Sequence, residues 1–114
     1  MKEIKAYVRP ERLASIVSRL EQEGARDLTV TRVDAIGALA DSDKDRLRLF
    51  RNYAEKYSDI AKVELVCADV EVNRFVSVLR EASFTGERGD GRIFVMNVER
   101  AVNIRTGDEG EKAL

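Results

Sequence analysis

The chain has 114 residues, and its 20 basic and 21 acidic side chains leave a net charge of −1, which argues against general adhesion to nucleic acid or to an anionic membrane. It contains no histidine and a single cysteine, Cys67, so one chain cannot build a His/Cys zinc site, a disulfide framework, a Ser-His-Asp triad or a Cys-His pair. The opening segment lacks the apolar h-region of a secretion signal and about 18 apolar residues nowhere run together, so a soluble cytoplasmic protein is expected.

Residues 1–114 read as one domain, small enough that association would help to bury its apolar surface. From Met1 to Val8, Ile4, Ala6 and Val8 alternate with Lys5 and Tyr7, the period of a half-buried strand. Pro10 then opens a segment in which Leu13, Ile16, Val17 and Leu20 share one helical face until Gly24 stops it. The β-branched run within Leu28 to Ile36 predicts a second strand, and Ala61 to Cys67 a third, with Cys67 as a small core residue. Val72, Phe75, Val76 and Leu79 repeat the helical spacing after Asp69, and Arg92 to Val98 predicts a fourth strand.

The order βαββαβ, with each helix following a strand, predicts an α+β ferredoxin-like domain whose two helices cover one face of a four-stranded antiparallel sheet. In the fourth strand Ile93 and Val95 face one way and Phe94, Met96 and Val98 the other, and both sets are apolar. The uncovered face therefore needs burial as well, and sheet-face association of subunits follows.

Ala38 to Asp59 is long for a loop in a compact domain, which points to function. Ser42 and Asp45 offer a capping start, and Phe50, Tyr53, Ala54 and Tyr57 share a helical face amid Lys44, Arg46, Arg48, Arg51 and Lys56, a surface suited to a partner or to packing on its own domain. Three of the chain's seven glycines fall within Gly86 to Gly91, just before the fourth strand. Glycines there allow a positive φ and close backbone approach, so successive N–H groups can line an anion nest, with Arg88 and Arg92 offering guanidinium forks. Ala101 to Gly107 reads as a short strand-like piece ending in a turn, followed by an acidic tail, and Arg105 is a candidate second anion contact.

At these residues the chain resembles the PII signal-transduction family of trimeric nitrogen regulators. Thr85, Gly89, Asp90, Gly91, Arg92, Ile93, Phe94, Val95 and Val98 fit the family's C-terminal signature position for position, and Ile104, Arg105, Thr106 and Gly107 follow at the family's distance. Met1 to Pro10 with Leu13, and Gly24 through Leu28, Thr29, Val30, Thr31 and Val33 to Gly37, look like the family's opening strand, helix and second strand. The resemblance implies a trimer holding ATP or ADP in clefts between neighbouring subunits. It assigns the phosphate loop to Gly89, Asp90, Gly91 and Arg92, with Gly37 at the root of the long loop and Arg105 contributed by the adjacent subunit. It places Thr29, Glu64 and Val66 around adenine and ribose, and makes the long loop, with Phe50, Arg51, Tyr53 and Tyr57, the surface that meets a regulatory target, for which a membrane transporter is one candidate. No Walker A lysine motif is present, so a kinase-like or GTPase-like site is not expected.

The departures from the family are as specific. Ala38 replaces an arginine, and Leu39 replaces a glutamine that helps to hold Mg²⁺ and 2-oxoglutarate; an aliphatic side chain cannot ligate that hard cation, so Mg²⁺ is not expected. Ile60 stands where a lysine meets 2-oxoglutarate, although Lys62 is retained, and Asn103 stands for a second phosphate-binding arginine. Loss of two guanidiniums predicts weaker ATP preference and a shift toward ADP or AMP. Sensing of another ligand, a cyclic nucleotide or bicarbonate, is an alternative. So is an RNA-binding module, because Gly91 to Val95 echoes an RRM strand, though on the wrong strand and without a basic patch.

Overall fold

The structure, a computed structural model, describes residues 1–36 and 58–114. Strand β1 spans Lys2–Val8, and its alternation works as expected: Ile4, Ala6 and Val8 are buried while the residues between them are half-exposed. Pro10 has no N–H to satisfy and its φ is preset, so it opens a tight turn over Pro10–Arg12 before helix α1, Leu13–Gln22, which buries Ile16 and Leu20. Strand β2 covers Thr29–Ala35 and strand β3 Ser58–Cys67. The Glu71 carboxylate then accepts a hydrogen bond from the Ala68 amide at 3.1 Å and fixes the entry to helix α2, Val72–Ser83. Strand β4, Gly91–Asn97, completes the sheet.

The strands lie in the order β2-β3-β1-β4, every neighbouring pair antiparallel. This is the expected ferredoxin-like α+β arrangement, with β1 at the centre hydrogen-bonded to both β3 and β4. The two helices close one face over a core of Ile4, Ala6, Val8, Ile16, Leu20, Val63, Leu65, Phe75 and Leu79, and Cys67 sits in it as a small apolar residue. Burial, with the nearby Glu71 carboxylate, pushes the Cys67 thiol above its ordinary pKa, so it resists becoming a thiolate. Arg12, at the start of the first helical segment, donates to the carbonyls of Ala82 at 3.0 Å and Phe84 at 3.2 Å, capping the end of α2. Arg19 and Glu81 add an ion pair at 2.7 Å between the helices.

Among the described residues no helix lies over the other face. Val66, Phe94 and Met96 remain 39%, 43% and 36% exposed there, around a Tyr7–Phe94 edge-to-face contact with ring centroids 6.1 Å apart. At the end of this face beside the long connection, Ala35 and Ile60 form a second small buried cluster with Tyr7 and Val33.

Two expectations change. Strand β3 begins at Ser58 rather than Ala61, because Asp34, Ala35, Ser58 and Asp59 continue the ladder to β2 and Arg32 pairs with Asp59 at 3.2 Å, so cross-strand pairing overrides the weak strand preference of Ser and Asp. Residues 101–107 are not a strand: a single bridge joins Val102 to Glu109, and the Gly107 amide turns back to the Asn103 carbonyl at 2.8 Å. The acidic tail ends in a short 3-10 turn over Gly110–Ala113.

Phe75 and Leu79 are the α2 side chains sealed most completely against the sheet. Truncating either to Ala is expected to lower unfolding free energy by about 3–5 kcal/mol through lost burial and an unfilled cavity, measured as a lower urea midpoint at unchanged slope.

Candidate functional site

The turn from α2 into β4 is built around one carboxylate. Asp90 accepts hydrogen bonds from the Thr85 amide at 2.8 Å, the Thr85 hydroxyl, the Gly86 amide at 3.0 Å and Arg9 Nε at 3.0 Å. Arg9 Nη2 also donates to the Arg88 carbonyl at 2.6 Å, and the Glu87 amide donates to the Thr85 hydroxyl at 3.2 Å. Partial burial works to raise the Asp90 pKa, but the donors from Thr85, Arg9 and Gly86 outweigh it and hold the carboxyl down at about 2.

This arrangement resolves a conflict in the motif, since a carboxylate in a phosphate loop would repel its ligand. Asp90 points its charge at Arg9 and the turn's own amides. The expected row of free amides is therefore shorter: those of Thr85, Gly86 and Glu87 are engaged, whereas those of Gly89 and Asp90 have no hydrogen-bond partner among the described residues. These two amides lie between Gly89, at φ +93°, and Gly91, at φ +106°. Arg92 follows, exposed and without an ion pair among the described residues. Gly91 is irreplaceable on packing grounds as well, because a Cβ there would lie 1.7 Å from the Tyr7 carbonyl oxygen.

Thr29, Glu64 and Val66 come together elsewhere. They line an open groove of about 350 Å³ with Glu3, Asp27 and Leu114. The Glu64 carboxylate lies 3.7 Å from Lys5 Nζ and 3.4 Å from Lys62 Nζ, so it is held by two cations. Val66 stands opposite Glu3 and Gly91 opposite Val8, which puts the two groups about 17 Å apart along β1 at the usual strand rise. Asn103 and Arg105 form a third group, in the reversal after β4. The Asn103 side-chain oxygen accepts from the amides of Arg105 at 3.0 Å and Thr106 at 3.1 Å, which leaves its amide NH₂ as the group it can offer. The Arg105 side chain is exposed, and its neighbour Ile104 is fully exposed.

One chain thus carries three separate parts of the expected nucleotide site. Gly37, Phe50, Arg51, Tyr53 and Tyr57 lie outside the described residues, as do Ala38 and Leu39. Among the described residues no group of three or more potential ligand side chains converges to hold a metal ion. Sequence reasoning missed Arg9 as a site residue; its signal, an arginine between a strand and Pro10, is no different from that of any solvated arginine.

The clasp makes stability depend on acid in a definite direction. Asp90 ionises more readily folded than unfolded, so its contribution is present above its ordinary pKa of 3.8 and is lost as pH falls from there toward about 2. Asp90→Asn is expected to flatten that part of the stability-versus-pH curve while lowering stability at pH 7, read by urea unfolding at a series of pH values. Gly91→Ala is expected to cost more than about 3 kcal/mol, because both the positive φ and the Tyr7 carbonyl oppose a side chain; a thermal melt checks it.

The family model for nitrogen regulatory protein P-II matches residues 1–108. Among similar proteins are the nitrogen regulatory protein P-II of Bradyrhizobium diazoefficiens, 35% identical with both chains covered in full, and the nitrogen regulatory protein P-II 2 of Methanothermobacter thermautotrophicus, 36% identical over 100% of this chain and 97% of that one. The crystal structure of Arabidopsis thaliana PII bound to citrate superposes with a TM-score of 0.81 at 32% identity, covering 99% of this chain and 91% of that one. The shared fold, the full-length identity and the family match agree: this chain belongs to the nitrogen regulatory protein P-II family and is a regulatory signal-transduction protein.

Proposed function

We propose that the protein is a non-catalytic homotrimeric regulator that binds an adenine nucleotide in clefts between neighbouring subunits and signals through the segment 38–59 to a target protein. The observation that carries the reading is the pair of unpartnered amides at Gly89 and Asp90, followed by Arg92, on a turn whose own carboxylate is already neutralised by Arg9. Backbone N–H groups beside a free guanidinium suit a phosphate. The separation of Thr29, Glu64 and Val66 from this turn favours a site completed by a second subunit, which would bring Arg105 and Asn103 to the phosphates. The exposed apolar residues of the open sheet face, Val66, Phe94 and Met96, favour the same assembly, because a neighbouring subunit would bury them.

Ligand preference follows from the charges present. With Ala38 and Asn103 in place of two arginines, the cradle offers less positive charge to a γ-phosphate, and Leu39 and Ile60 remove polar contacts that 2-oxoglutarate and Mg²⁺ would need. ADP or AMP is therefore the favoured occupant over ATP, without Mg²⁺. The target, an enzyme or a transporter that would recruit this cytoplasmic protein to a membrane, meets the long segment through Phe50, Arg51, Tyr53 and Tyr57.

Calorimetric titration of the assembled protein tests the reading. ADP or AMP is expected to bind at least as tightly as ATP, and Arg92→Ala to weaken that binding by about tenfold or more, the worth of one charge-assisted contact. Absence of saturable binding by all three at millimolar concentration would overturn it.

A further inference from the structure

A second cavity, of about 400 Å³, opens between the end of α2 and the start of β4, on the helix-covered side of the sheet. Its wall is apolar where Val76, Phe84 and Ile93 meet, and Phe84 is 61% exposed although it is the largest side chain on that wall. Arg80, from the last turn of α2, borders it without an ion pair among the described residues, whereas Arg92 meets the rim from β4 at a register position on the opposite face of the sheet, paired with Tyr7. Asp90 also lines the cavity, but its charge is met by Arg9, Thr85 and Gly86, so Arg80 is not neutralised by it.

The wall holds one more anomaly. Ser83 is 7% exposed, and its hydroxyl is the single buried side-chain polar atom among the described residues without a hydrogen-bond partner. A buried hydroxyl left unpaired is destabilising, so a fold retains one more readily where a ligand or water meets it. A cavity with apolar walls, an unpaired guanidinium at its border and an unsatisfied hydroxyl fits a molecule with an apolar body and one carboxylate. A nucleotide fits it poorly, since the wall lacks polar partners for a ribose or a base.

We propose that this cavity is a binding site for a small amphipathic carboxylate, whose acid group pairs with Arg80 and whose apolar body packs on Val76, Phe84 and Ile93. The site is separate from the groove formed by Thr29, Glu64 and Val66, and it shares only Arg92 and the edge of the turn at Asp90 and Gly91 with the proposed phosphate contacts. It does not depend on the nucleotide reading.

The test uses 4-phenylbutyrate as probe and 4-phenylbutan-1-ol as its uncharged counterpart, each titrated into the assembled, ¹⁵N-labelled protein. The acid is expected to bind saturably and to shift the amides of Arg80, Phe84 and Ile93, with the alcohol at least about tenfold weaker for want of the ion pair. Arg80→Ala is expected to weaken the acid by a similar factor while leaving ADP binding unchanged, which separates this site from the nucleotide cleft. Ser83→Ala removes an unpaired hydroxyl, so it is expected to melt no lower than the parent chain yet to bind the acid less tightly. The proposal is overturned if the acid does not saturate, if acid and alcohol bind alike, or if either substitution leaves acid affinity unchanged.

Discussion

The structure depends on how closely the end of β1 meets the start of β4. Gly91 lies against the Tyr7 carbonyl with no room for a side chain, and one residue beyond β1 Arg9 reaches across to Asp90. That contact joins the first element of the chain to the last strand, sets the β1–β4 register from Val8↔Gly91 to Lys2↔Asn97, and shapes the turn that precedes it. A shift of one residue would exchange Ile93 and Val95 with Phe94 and Met96 between the two faces, so the core and the open face would both be lost.

Asp90 shows how a turn can hold an acid without presenting its charge outward. Its oxygens are surrounded by donors from Thr85, Gly86 and Arg9, and the negative charge is compensated inside the turn. What remains outward is a short positive arc of two amides and Arg92. Arg9 acts by position only, through Asp90 and the Arg88 carbonyl.

The sheet divides the molecule's tasks by face. Helices seal one side, and Arg12 caps the end of α2 with a side chain from the start of the first helical segment, so the start of one helical segment supports the end of the other helix. The opposite side keeps the charged trio Lys5, Glu64 and Lys62 beside Tyr7 and Phe94, a surface neither polar enough for water nor apolar enough for a core. Such a face suits association, and trimeric assembly is consistent with membership of the P-II family.

The sequence by itself determined the element order, the two helical stripes, the core positions from Ile4 to Leu79 and the glycine-rich turn, because those signals are local: period 2, period 3.6 and the special φ of glycine. It also carried the family resemblance, which rests on residues spaced closely in the chain. It could not show that Asp90 faces inward, that Arg9 is its partner 81 residues away, that β3 reaches back to Ser58, or that residues 101–107 turn rather than extend. Those were decided by tertiary structure, since each depends on which groups satisfy a hydrogen bond across the sheet, and a backbone or side-chain donor shows in the sequence only that it exists, not where its acceptor lies.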